Sequence, residues 1–115
     1  MVQVGVGQAE AALHSGRAFL METVRDIWVE ATAGAVSLER RAILRLATTH
    51  GIRLAAQVID TVYNAAGATA AYEGHLIQRH FQDIHVITQH LQGRMAQYEL
   101  VGRHWLGLPI DQDRL

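Results

Sequence analysis

The sequence predicts an all-α domain, an up-down helical bundle of three long helices and a short fourth. Three observations carry this reading. Apolar residues recur at three- and four-residue steps, and after the opening MVQVGVG β-branched residues do not cluster in alternation. Ala, Leu, Arg, Gln and Glu, which lose little on entering a helix, are plentiful. The single proline, Pro109, lies beyond the last helical pattern.

Residues 1–7 (MVQVGVG) read as an extended lead-in, because Gly5 and Gly7 weaken a helix. A first helix is expected from about Gln8 to Ala33. Its core stripe is Ala9, Leu13, Gly16, Leu20, Val24, Ile27 and Ala31. Gly16 would let a neighbouring helix approach closely. A second apolar group, Ala11, Ala18 and Val29, lies roughly opposite, so this helix should pack on two neighbours, one of them in another subunit.

Gly34 ends that helix, Ser37 is the expected N-cap of the next, and Glu39 suits its first turn. The second helix should run from Leu38 to Ala66 with Leu44, Ala47, Gly51, Ala55, Val58, Val62 and Ala65 along one stripe. At about 1.5 Å per residue it is a rod of roughly 43 Å. Arg41, Arg45 and Arg53 fall off the stripe and read as solvated or intersubunit charges. Gly67 closes this helix. A third is expected from about His75 to Gln92 and a fourth from Met95 to Leu106, with Gly93 between them. The tail LPIDQDRL reads as an irregular arm.

A chain of 115 residues makes one domain with a single core. Its 50% apolar and 18% charged content favours a globular fold over disorder. The net charge of −1, with both signs interspersed, predicts no nucleic-acid face and no membrane-surface patch. Without cysteine, disulfides and thiol catalysis are excluded, and a cytoplasmic location fits. The opening MVQVGVGQAE lacks the basic start and long apolar run of a signal peptide. No window reaches the roughly 18 to 20 uninterrupted apolar residues of a membrane span.

Chemistry concentrates between Gly67 and His90. His75, His80, His85 and His90 recur every five residues, a step of about 140° net on a helix, so successive rings diverge. No HxxxH or ExxH pair stands there to put two ligands on one face, and no metal site is predicted. Glu10 and His14 share a face but stand alone near a terminus. Arg79 and Asp83, at i and i+4, read as an ion pair, and Gln89 at the same spacing from His85 could orient its imidazole. No GxGxxG or GxxxxGK[ST] phosphate cradle occurs.

Four stretches in order carry a resemblance: AEAALHSGRAFLMETVRDIW, LATTHGIRLAAQVIDTVYNAAGATAAY, LIQRHFQDIHVITQH and ELVGRHWLGL. From Gln8 to Ile110 the chain resembles the C-terminal helical domain of the acyl-CoA dehydrogenase superfamily. The branch it looks most like is the flavin-dependent monooxygenases that hydroxylate aromatic compounds. That resemblance implies a fragment of a larger flavoenzyme, because family members add an N-terminal helical domain and a middle β-domain. It implies FAD or FMN in the whole enzyme and none held by this fragment. It also implies a dimer or tetramer, a flavin reductase partner, and a small aromatic or acyl-CoA substrate.

Residue by residue, the resemblance puts Gly67, with Tyr63 and Asn64 before it, at the turn that meets the flavin's ADP portion. Arg79 matches the next helix, whereas Gln82 replaces the family's arginine before Asp83 and Leu76 its usual proline. Leu91 stands where dehydrogenases often carry the catalytic glutamate. His90 resembles the monooxygenase histidine beside the flavin, an acid/base candidate, with His85 second. The competing reading is a helical oligomerisation module with no activity of its own.

Overall fold

A computed structural model describes residues 2–67 and 76–115. The helices are α1 (Val2–Ala33), α2 (Leu38–Ala66), α3 (Leu76–Ile87) and α4 (Ala96–Trp105), and short 3-10 turns occupy Leu91–Gly93 and Gln112–Arg114. Helix α2 is the axis of the molecule, packed against α1, α3, α4 and the Leu91–Gly93 turn. The all-α expectation holds, and α2 has the expected bounds.

The ends of α2 follow their local chemistry. The Ser37 side chain accepts from the Arg40 backbone N–H at 3.2 Å. Gly67 closes the helix at φ 65°, a left-handed conformation that glycine adopts without steric cost. Between α1 and α2, Arg40 donates to Asp26 and Glu30, each at 3.1 Å. Glu30 also accepts the Ser37 backbone N–H. Those hydrogen bonds from Ser37, then Arg40, hold the Glu30 carboxyl below its ordinary value. One arginine and one glutamate thus fix how the chain reverses.

Where α1 crosses α2, a Cβ added at Gly16 would meet Leu54 Cδ1 at 3.0 Å and lie 3.9 Å from Gly51 Cα. Gly16 allows the close approach expected of it. The buried face is nevertheless rotated from the predicted stripe. Thr23 is buried, its hydroxyl donating to Phe19 O at 2.7 Å, whereas Leu13 and Val24 are exposed. A threonine that satisfies its hydroxyl on its own helix can enter a core, which apolar counting does not foresee. Ala11, Ala18 and Val29 are exposed, so among the described residues the second face of α1 has no cover.

Other expectations need correcting. Residues 2–7 are helical and not an extended lead-in: Gly5 lies on α2, where an added Cβ would stand 3.3 Å from Thr61 Cγ2. Packing outweighs the glycine penalty there. Helix α3 is 12 residues and stops at Ile87, short of Gln92, because the Thr88 hydroxyl bonds His85 O at 2.7 Å and the next amides turn back by three residues. His75, the expected start, falls outside the described residues. Arg41, Arg45 and Arg53 are not free surface charges. Arg41 donates to Gln112 O at 2.7 Å, Arg45 to Gln92 Oε1 at 2.7 Å and to Arg114 O, and Arg53 to Gly93 O at 2.6 Å. The C-terminal tail is accordingly held to α2 and ends in a 3-10 turn capped by Asp111.

Among the described residues the buried apolar side chains are few and mostly small: Ala42, Ala47, Ala56, Leu100 and Val101. The extents are 50 × 25 × 24 Å and the radius of gyration is 16.8 Å, against about 13 Å for a compact domain of this length. Among the described residues no helix is long and apolar enough to cross a membrane.

Candidate functional site

Two polar features lie side by side where α3 and α4 meet α2. The first is a cleft of about 700 Å³ lined by His50, Arg53 and Asp60 of α2, His85 of α3, Gln89 and Tyr98. His85 Nε2 lies 2.7 Å from Asp60 Oδ1. The ring of Phe81 leans on His85 at 4.6 Å and stacks on Tyr63 at 4.2 Å. Across the cleft His50 Nδ1 and the Tyr98 hydroxyl are hydrogen-bonded at 3.2 Å. Burial raises the Tyr98 pKa above the ordinary tyrosine value, and nearby Arg53 pulls it partly back. The phenol therefore stays a donor across the working pH range.

The second feature is the turn from Thr88 to Met95. His90 opens the 3-10 segment and its Nδ1 accepts the Gln92 backbone N–H at 3.2 Å. Its ring is otherwise exposed beside Leu91, which is also exposed. Helix α2 grips the turn from below: Thr49, fully buried, donates its hydroxyl to Gln92 O at 2.6 Å, next to the contacts of Arg45 and Arg53.

The sequence-derived candidates separate in space. His85 lies in the cleft; His90 does not line it. Because α3 ends at Ile87, wheel arithmetic along a helix reaching His90 does not apply to that ring. Gln89 does not orient His85: its amide reaches Thr88 Oγ1 at 3.4 Å, and Asp60 takes the imidazole instead. Among the described residues Arg79 and Asp83 form no ion pair, and both side chains are exposed. Tyr63 offers one ring face to Phe81, while Asn64 borders a groove between α1 and α2 and its carbonyl accepts the Gly67 N–H. Among the described residues, a Cβ at Gly67 would meet nothing within 4 Å.

Sequence reasoning passed over His50, Asp60 and Tyr98, which spacing cannot link because they lie on two helices. Thr49 was also missed, although its four-residue steps from Arg45 and to Arg53 mark one helical face and could have been read. No group of three or more His, Cys, Asp or Glu side chains is arranged for a metal among the described residues.

Among the described residues, four helices built on one central rod, with an imidazole-bearing turn on its flank, fit a helical domain of the acyl-CoA dehydrogenase class. The chain belongs to that family: the description "Acyl-CoA dehydrogenase, C-terminal domain" matches residues 1–94. It is 35% identical over 108 residues to the indole-3-acetate monooxygenase of Pseudomonas putida, covering 93% of this chain and 28% of that protein. With the indole-3-acetate monooxygenase of Acinetobacter baumannii it shares 32% identity over 91 residues, 78% of this chain and 23% of the relative. The crystal structure of 3-HSA hydroxylase from Rhodococcus sp. RHA1 superposes with a TM-score of 0.84 at 25% identity, over 99% of this chain and 31% of the hydroxylase. The chain thus spans about a quarter to a third of each of these proteins.

Proposed function

We propose that this chain is the C-terminal domain of a longer flavin-dependent monooxygenase that hydroxylates a small aromatic substrate. The observation that carries the reading is the 35% identity to an indole-3-acetate monooxygenase along 93% of the chain. Leu91 supports it, because a leucine cannot abstract the proton that a glutamate removes in the dehydrogenases of this superfamily. An acyl-CoA substrate is therefore the weaker alternative.

When bound, reduced FAD or FMN supplies the electrons that activate dioxygen. The residues of this chain fit one edge of such a group. Arg79 carries an exposed guanidinium suited to a diphosphate, and Tyr63 and Asn64 lie on the last turn of α2 before Gly67. We assign His90 the acid/base role at the reacting centre and keep His85, already engaged by Asp60, as the second candidate. A flavin reductase as electron donor and a cytoplasmic location belong to the same reading. The isolated chain, with one edge of the site, is expected to retain no flavin.

The second reading, a non-catalytic oligomerisation module, draws on the uncovered apolar face of α1, where Trp28 is 72% and Val29 68% exposed. The two readings share a homo-oligomer, dimer or tetramer, and differ in chemistry. The test is oxygen incorporation by the enzyme that contains this domain, supplied with reduced flavin, dioxygen and indole-3-acetate. A monooxygenase puts one oxygen atom of dioxygen into the product and releases the other as water; an oligomerisation module alone gives no labelled product.

A further inference from the structure

The segment from Gln89 to Gly93 is more completely held than an exposed turn requires. Each of its five carbonyls accepts a hydrogen bond from within the chain. Arg94 Nε donates to Gln89 O at 3.1 Å, the Gly93 N–H to His90 O at 2.9 Å, and Gln97 Nε2 to Leu91 O at 2.8 Å. Thr49 Oγ1 donates to Gln92 O and Arg53 Nε to Gly93 O, both at 2.6 Å. Water satisfies surface carbonyls equally well, so this many side chains committed to one turn fix its position rather than merely its solvation. Gly93 seats it: an added Cβ would stand 3.0 Å from both Ile52 Cγ2 and Ile87 O and 3.1 Å from Thr88 Cα.

We propose that Arg45, Thr49 and Arg53, three rungs on one face of α2, mount this turn so that His90 presents Nε2–H outward as a hydrogen-bond donor. The inference rests on the assignment of His90 to the reacting centre. A backbone N–H only donates, so the Gln92 amide at 3.2 Å requires a lone pair on His90 Nδ1. The single proton of the neutral ring then sits on Nε2. For His90 to act as a base through Nε2, its proton would have to move to Nδ1, breaking the Gln92 contact and facing two hydrogens at each other. The mounted ring is therefore set to donate to an oxygen of its ligand, a carboxylate, phenolate or carbonyl oxygen. Arg45, Thr49 and Arg53 are positioning residues: none need touch the ligand, and their effect passes through the carbonyls and amide side chain they hold.

Long-range proton–nitrogen NMR of the imidazoles in this 115-residue chain tests the proposal. His80, exposed on α3, serves as the internal reference. At neutral-ring pH, His90 should favour Nε2–H over His80 by about fivefold, the ratio that one net hydrogen bond of ordinary strength gives. Thr49→Val should bring the His90 ratio back toward that of His80. Arg53→Met, which keeps the aliphatic stem, should do the same and serves if the buried Thr49 variant does not fold. An Nδ1–H ring at His90, or a ratio equal to that of His80, overturns the tautomer assignment. Folded variants that leave the ratio unchanged overturn the role of the ladder. Neither readout depends on hydroxylation, so failure of the functional reading would register separately.

Discussion

At the residue scale, Gly93 sets the tightest requirement. A methyl group there would press on Ile52, Ile87 O and Thr88 Cα, two of them backbone atoms that cannot swing aside. Gly93→Ala should destabilise the fold by about 1 to 3 kcal/mol, the usual cost of overpacking, and lower the thermal midpoint by several degrees. Circular dichroism melting checks this, and an unchanged midpoint would mean that the turn sits off α2. Single-residue signals were legible where the cause is local: Ser37 as a cap and Gly67 as a stop need only their own neighbours. The surroundings of His90 were not. They depend on Thr88 diverting its hydroxyl to His85 O and on donors from positions 49 and 53, about 40 residues away.

At the element scale, the order of helices and the bounds of α2 were legible because apolar periodicity and caps act along the chain. The phase of α1 was not. Thr23 is buried and Leu13 exposed because helix contact is decided by shape, with Gly16 facing Gly51, and not by apolarity alone. The turn between α1 and α2 carries a pH dependence whose sign is fixed. Hydrogen bonds from Ser37, followed by those from Arg40, lower the folded-state pKa of Glu30 below the ordinary 4.5. Its contribution is complete above that value and is lost as pH falls through the lowered pKa. Glu30→Gln should therefore be less stable than the native chain above about pH 5, and the gap should narrow as the medium is acidified below about 4.5. Urea midpoints across that range provide the check, and a gap independent of pH would contradict the linkage.

At the scale of the whole molecule, a long, thin core leaves much of α1 uncovered, with Met21, Val24, Trp28 and Val29 exposed along its length. The proposed homo-oligomer would cover that face, and light scattering that reports a monodisperse monomer would contradict it. Family membership was legible because four stretches kept their order over most of the chain. The geometry of the site was legible only in part: His85 and His90 share a sequence neighbourhood, but the end of α3 sends one ring to the cleft and leaves the other on the exposed turn.

We propose that the enzyme containing this domain hydroxylates an aromatic ring with the help of His90. Oxygen-18 incorporation from labelled dioxygen tests it most directly, measured for the native enzyme and for His90→Ala under the same supply of reduced flavin. The native enzyme should place one labelled atom in the product, and His90→Ala should lower that yield by about a hundredfold or more, the usual scale of losing a hydrogen-bond donor at a reacting oxygen. Unlabelled product would rule out a monooxygenase, and a His90→Ala enzyme that hydroxylates as fast as the native one would remove His90 from the reacting centre.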